Sequence, residues 1–527
     1  MRFPRSPLLG LALLGLAQPA AEEALAGRVT TGLVTSGGWP LAGAIVRVYG
    51  GEPSAVSGAD GRFVLSDVTV TGEAFLTAAK PGYYNVRRRV PPGGEPVQLE
   101  LEAIPVGDTA SYAWQDPTPD PARKDNCGNC HSNIYAQWRG DAHAHSAVNP
   151  VVLNLYNGTD AAGRANVGPG YRLDWSDGGN CASCHAPMSA SRGSPTDLNQ
   201  LVGVERTGVS CDYCHKVKDV SPDPRFPHFA ETRVLRPPSG SKLIFGPLAD
   251  AIFPKDVPDF SYSPLFKSSR FCAGCHDGAF WGTPVYETYT EWRKSPYAEA
   301  GIQCQQCHMR PTTGLDHVAD EEDGGIARPT EQIGSHRTMG ESRSRMLEQA
   351  VRMETSAVVD GSVLEVAVSI VNAGAGHHVP TGQPMRHMLL LVSAADASGR
   401  DLRLLSGERV PVWGGSYGGR PGKGFAKILA SVNEYAKEPT STDEATSGAD
   451  FPAPFWRRTR IVSDNRIPAQ AEVKETYWFD VAAASGPVAV TTRLLYRRAF
   501  EQLALLKGWD VEDLDLARNQ VKVEFHR

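Results

Sequence analysis

Five copies of Cys-x-x-Cys-His constrain this chain more than any other feature. They are CGNCH from Cys127 to His131, CASCH from Cys181 to His185, CDYCH from Cys211 to His215, CAGCH from Cys272 to His276 and CQQCH from Cys304 to His308. Each places two thiols one helical turn apart, with an imidazole directly after the second. With ten cysteines and fourteen histidines among 527 residues, a shuffled sequence would hold roughly 0.005 such matches, so the pattern reflects chemistry and not composition. The five motifs use every cysteine in the chain.

Three chemistries compete for such thiols. A disulfide inside Cys-x-x-Cys closes too short a loop for a structural staple and gives no role to a histidine at one offset. Structural zinc gathers four ligands from two half-sites, with the histidine set apart from the second cysteine. Covalent haem attachment requires this order, because two thiols add to the two vinyl groups and the next imidazole reaches the iron from one face. The motifs therefore predict five covalently attached haem c groups. Cys127, Cys130, Cys181, Cys184, Cys211, Cys214, Cys272, Cys275, Cys304 and Cys307 are the expected anchors, and His131, His185, His215, His276 and His308 the expected proximal ligands.

The N-terminus agrees with that chemistry. Residues 1–26 begin with Arg2 and Arg5, continue with the apolar run LLGLALLGLA, and end in Ala24-Leu25-Ala26, a sequence suited to cleavage before Gly27. This is the pattern of a secretory signal peptide, so the mature chain is expected to be exported, periplasmic or extracellular. The apolar run is shorter than the roughly 20 residues that span a bilayer, and no other segment approaches that length. No membrane span is expected. A charged fraction of 21% and a net charge of -6 lack the basic stripe of a nucleic-acid binder, so that class of partner is set aside.

Composition shifts divide the chain. Residues 27–105 have neither cysteine nor histidine and alternate like strands, with Ile45 and Val48 in GAIVRVYGG and a turn at Asp60-Gly61 before Phe63 and Leu65. The run PLAGAIVRVYGG…ADGRFVLSDV…AAKPGYYNVRRRV resembles the carboxypeptidase-regulatory-like, transthyretin-like β-sandwich, which carries no catalytic residue. Residues 106–125, including DPTPDPARKDN, read as a linker. Residues 126–345 form the expected pentahaem region, mainly α and irregular, poor in apolar periodicity because the macrocycles themselves provide buried apolar mass. Close motif starts at 181 and 211, and at 272 and 304, suggest two haem pairs with the first motif alone. Residues 346–527 alternate again: Leu364, Val366, Val368 and Ile370 mark one strand of a second β-sandwich-like domain, and RRAFEQLALLKGWD is expected to close it as a C-terminal helix. The fold class is thus multidomain, with β-rich domains flanking the haem region and offering surface or oligomer contacts.

CGNCHSNIYAQWRGDAHAHSAVNP, GVSCDYCHKV, FCAGCHDGAF, EWRKSPYAEAGIQCQQCHM and GAGHHVPTGQPMR together resemble the multihaem cytochromes c related to the tetrahaem cytochrome and hydroxylamine oxidoreductase of nitrifying bacteria, over residues 120–500 or so. That resemblance implies distal iron ligation by His143 in WRGDAH, His336 in GSHRTMG and His377 in GHHVPTG. His228 and His317 are further candidates. His145 and His378 are possible substitutes for their neighbours, and His387 and His526 read as surface or packing residues. The frame QWRGDAH recurs as EWRKSPY, with Tyr297 where His143 stood; this tyrosine either packs near a haem or marks an iron left open to a small substrate.

The resemblance implies an exported pentahaem cytochrome that transfers electrons through mostly bis-histidine haems, more an electron carrier than a catalyst. Its expected partners are redox proteins, either other cytochromes or a quinol-linked membrane complex. An oxidoreductase of a small nitrogen or sulfur compound, with one open haem, is the alternative. A structural subunit of an extracellular cytochrome assembly is a third.

Overall fold

The computed structural model describes residues 28–52, 54–68, 73–191, 196–224, 230–253, 258–339, 343–432 and 453–524. The signal-peptide reading of residues 1–26 and the candidates His228 and His526 lie outside them.

Near the N-terminus two four-stranded sheets face each other. One orders Trp39–Pro40, Arg28–Ser36 and Arg62–Val68, with Val97–Glu100 added in parallel to Arg28–Ser36; the other orders Ser54–Val56, Ile45–Val48, Phe75–Ala79 and Val86–Arg89. Period-two alternation turns Val34, Val46, Phe63, Leu65, Leu76 and Leu99 into one core. In the strand Ile45–Val48 the core residues are Val46 and Val48, whereas Ile45 is only half-buried. Gly61 turns at φ +77°, where a Cβ would meet the Val34 carbonyl at 2.5 Å, so the turn before Phe63 needs glycine.

The central region is built of short helices and three two-stranded ribbons, at Val217–Pro224 with Ala230–Val234, Ile244–Gly246 with Phe260–Tyr262, and Gly278–Phe280 with Thr283–Tyr286. The stretch read as a linker is packed against this region. Trp114 is buried and its indole donates to the Met188 carbonyl, while Tyr112 Oη and the Gln115 amide both donate to Asp212. Asp212 also holds the buried Lys216 ammonium at 2.5 Å, so a charge pair inside the haem region anchors the incoming chain.

Beyond residue 350 a second pair of sheets stacks. Arg352–Asp360, Val363–Val371, Glu472–Asp480 and Leu404–Ser406 form one sheet; Thr459–Asp464, Gly422–Ser431, His387–Ala395, Val488–Arg497 and Leu514–Val523 form the other. Leu364, Val366, Val368 and Ile370 are all buried between them, each contributing about 1.5–3 kcal/mol by leaving water. The helix Glu501–Lys507 is present, but it does not end the domain. The strand Leu514–Val523 follows and pairs with Val488–Arg497, because Leu514, Leu516, Val521 and Val523 give that segment an apolar face for a sheet edge.

The outer elements grip the centre. Leu155 of the helix Pro150–Asn157 packs with Leu389, Trp413, Phe500 and Leu503. The buried Lys507 ammonium donates to the carbonyls of Thr159 and Pro169 at 3.0 and 2.8 Å. On the N-terminal side, Asp250 accepts from the Gly50 amide and from Arg328. No helix among the described residues is long and apolar enough to cross a membrane.

Candidate haem-binding site

Four motifs ride on short helices, Ala182–His185 with Cys181 at its N-cap, Cys211–Cys214 with His215 at its C-cap, Arg270–His276 and Cys304–His308; the first begins on the 3-10 turn Cys127–Asn129. A turn brings residues four apart onto one face, so the first cysteine and the histidine of each motif approach the same object. Among the described residues no three Cys, His, Asp or Glu side chains gather as a metal cluster.

The motif histidines are oriented from behind. His131 Nδ1 bonds to the Val318 carbonyl at 2.8 Å, His215 Nδ1 to Phe245 at 2.6 Å, and His308 Nδ1 to Thr338 at 2.8 Å. A carbonyl at Nδ1 fixes the proton there and leaves the Nε2 lone pair free for a metal. Burial pushes the His276 imidazole down to about 3, helped by the nearby His143, which keeps it neutral as a ligand must be.

Two further histidines stand opposite motif histidines. The ring centres of His143 and His276 are 6.3 Å apart with planes at 83°, and those of His308 and His377 are 6.3 Å apart with planes at 19°. Two metal–imidazole bonds of about 2.0 Å plus the distance from each nitrogen to its ring centre amount to about 6.3 Å. The spacing therefore fits one iron between each pair, and the residues present fit a covalently held haem.

His143 sits on the 3-10 turn Ala142–Val148, where Asp141 accepts from both its amide at 3.0 Å and its Nδ1 at 2.8 Å. His377 lies in a loop of the C-terminal sandwich and points Nδ1 at the His378 carbonyl, 2.8 Å away. Asn372 holds the His377 carbonyl at 2.8 Å, and the buried Glu291 takes the His378 amide, the Thr381 hydroxyl and Arg466.

The remaining candidates divide. Burial, and then the neighbouring His215 and His131, push His336 down to about 4, which places it near the first and third motifs; its amide is held by Gln137 Oε1 at 2.8 Å. His317 is not presented to a motif histidine: Nδ1 faces Asp316 and Nε2 faces Glu321, at 2.8 and 3.2 Å. Carboxylates on both nitrogens leave no lone pair for iron. His145 directs Nε2 to the Arg139 carbonyl at 2.9 Å. His387 is buried, stacked on Phe500, and belongs to the core of the sandwich. No histidine ring is paired with His185 among the described residues, and the Ser146 backbone lies within hydrogen-bonding reach of its buried ring.

Tyr297 packs, and it does so with a purpose. Its hydroxyl donates to the Ala373 carbonyl at 3.1 Å, and a Cβ on Gly376 would lie 3.3 Å from its ring and 3.5 Å from Trp292. The two aromatic residues form the bed on which the glycine-bearing loop delivers His377. His377, from the C-terminal sandwich, is thereby held with its ring centre 6.3 Å from that of His308.

The motifs also pair differently from their order in the chain. Cys127 lies beside Cys211, Cys184 beside Cys275, and Cys272 beside Cys304. Cys275 also lies near Cys214, adding to the burial that pushes the Cys214 thiol up. The first motif therefore adjoins the third and is not alone, the second adjoins the fourth and, through Cys184 near Tyr213, the third, and the fourth lies beside three neighbours. Asp141 and Glu291 escaped the sequence reading; the signal for Asp141 was an Asn/Asp-type cap directly before a histidine-bearing turn.

The family model described as cytochrome c554 and c-prime matches residues 126–216. A penta-heme cytochrome c552 from Thermochromatium tepidum has a similar solved structure, with a TM-score of 0.53 and 20% sequence identity, covering 75% of this chain and 97% of that chain. No curated protein matches the sequence. The chain is similar to the cytochrome c554 and c-prime family over its first three motifs, and its fold is that of a multihaem c-type cytochrome.

Proposed function

We propose that the chain is an exported pentahaem c-type cytochrome that transfers electrons through haems held mostly by two histidines. The observation that carries this reading is the 6.3 Å spacing of His143 from His276 and of His377 from His308. Haem supplies reversible one-electron change at iron, and imidazole on both faces favours fairly low potential and closes the metal to substrate. The protein contributes anchoring thiols, oriented imidazoles and close approach of one motif to the next. Cysteine contacts from the first motif to the third, onward to the fourth, and from there to the second and fifth support a continuous electron path. Its partners are redox proteins, either other cytochromes or a quinol-linked membrane complex. We assign residues 27–105 to a carboxypeptidase-regulatory-like sandwich that orients the molecule.

A second reading, oxidoreduction of a small nitrogen or sulfur compound, is favoured by one observation. His185 has no imidazole beside it among the described residues, whereas His336 lies near both His131 and His215. The experiment for both is mass spectrometry of the mature protein followed by a count of low-spin and high-spin iron with and without cyanide. Five haem additions with mainly low-spin iron support the carrier, whereas fewer than five additions at full occupancy exclude it. One cyanide-binding haem that shifts on substitution near His185 supports the second reading, and no cyanide binding at any haem removes it.

A further inference from the structure

Asp141 differs from every other group behind a ligand-oriented histidine. His131, His215, His308 and His377 each direct Nδ1 to a neutral backbone carbonyl. His143 alone directs it to a carboxylate, Asp141 Oδ1, at 2.8 Å. That carboxylate is buried, at 5% exposure, so solvent screens it little. Its other oxygen, Oδ2, accepts from the Thr338 amide at 2.8 Å and the Thr338 hydroxyl at 2.9 Å, and the Thr338 carbonyl in turn accepts from His308 Nδ1. One side chain thus braces the imidazole opposite His276 and, through a single residue, the imidazole of the fifth motif.

Its position in the array gives this bracing a consequence. The fourth motif adjoins the second through Cys184 and Cys275, the fifth through Cys272 and Cys304, and the third through Cys214 and Cys275. An anion on the Nδ1–H of an axial imidazole makes its Nε2 a stronger donor and favours ferric over ferrous iron. We propose that Asp141 is a positioning residue that makes the haem of the fourth motif, the junction of the array, the most electron-rich of the histidine-ligated centres, so that electrons rest on its neighbours and cross the junction uphill. The proposal rests on the reading of His143 and His276 as ligands of one iron.

The ring geometry labels this centre. Imidazole planes at 83° leave the two iron orbitals that overlap them nearly equal in energy and give a strongly anisotropic low-spin resonance, whereas planes at 19° split those orbitals and give a rhombic one. The test is a potentiometric titration of the holoprotein followed by electron paramagnetic resonance, comparing wild type with Asp141→Asn, Thr338→Val and His143→Ala. The expected result is a positive shift of the anisotropic centre in Asp141→Asn that exceeds any shift of the rhombic centre, with the number of low-spin haems unchanged. Thr338→Val, which keeps the carboxylate on His143, leaves the midpoint of the anisotropic centre in place.

An unmoved anisotropic centre in Asp141→Asn overturns the proposal. An equal shift of all centres overturns it too, as a nonspecific charge effect, and loss of the low-spin signal reduces Asp141 to a scaffold. His143→Ala separates the underlying reading: if it leaves the low-spin count intact, the ligand assignment itself has failed. If it opens one haem while Asp141→Asn shifts nothing, only the tuning role has failed.

Discussion

Replacing His377 with alanine tests whether the C-terminal sandwich completes the haem region. The imidazole lost is the one 6.3 Å from His308, and no neighbour is placed to substitute for it. His378 lies beside Glu291, its Nδ1 3.8 Å from the carboxylate, and the Tyr297 hydroxyl is engaged by the Ala373 carbonyl. The loop does not depend on the ring, because Asn372 holds the His377 carbonyl and Glu291 holds the His378 amide. These bonds, at about 1 kcal/mol net each, survive the substitution. The expected change is therefore specific: one of the five motif haems turns from low to high spin while the fold and the haem count remain. Magnetic circular dichroism of the ferric protein measures the fraction, and added imidazole restores the low-spin band. A spin count identical to wild type in His377→Ala would refute the reasoning and leave the sandwich without a part in ligation.

Glu291→Ala removes one partner of a buried ion pair whose side chains are both 3% exposed. Asp464 still holds Arg466, so the expected loss is near the low end of its class, about 3 kcal/mol; a denaturation midpoint within 1 kcal/mol of wild type would contradict the structure. His387 is fully buried, and burial pushes it from 6.5 down to about 4. The unfolded chain therefore takes up the proton first, and stability falls as pH drops from 6.5 to about 4, by roughly 3 kcal/mol. His387→Asn should cost a constant amount and abolish that slope, and an unchanged slope would disprove the assignment. Tyr297→Phe loses one partly exposed hydrogen bond, for about 0.5–1 kcal/mol, and leaves the spin count alone; a new high-spin haem would restore the open-iron reading.

Strand patterning was legible wherever one face meets a core. Leu364, Val366, Val368 and Ile370 alternate in sequence and are all buried, and the turn at Asp60-Gly61 is where the residues place it. The strand that follows the last helix was not legible, because a short apolar run fits more than one register and the paired strand decides. The Trp frame repeated at Trp138 and Trp292 was equally visible, and both indoles donate to backbone carbonyls, from Trp138 to Val209 and from Trp292 to Ile302. What the second frame lacked at Tyr297 was visible too. That the loop bearing His377 would settle on that tyrosine was not, since the contact joins residues of different domains.

The sequence by itself determined the attachment chemistry, because two thiols and an imidazole within five residues act on one face of one turn, whatever the rest of the chain does. The tertiary structure alone decided which histidine stands across from which. His143 follows the first motif yet faces His276 of the fourth, His377 crosses from the sandwich to His308, and His317 turns to carboxylates instead. It also decided that the first motif adjoins the third and the second the fourth. The physical reason is that anchoring is covalent and local, whereas the opposite face of each ring is filled by whichever segment the packing of the whole molecule brings there.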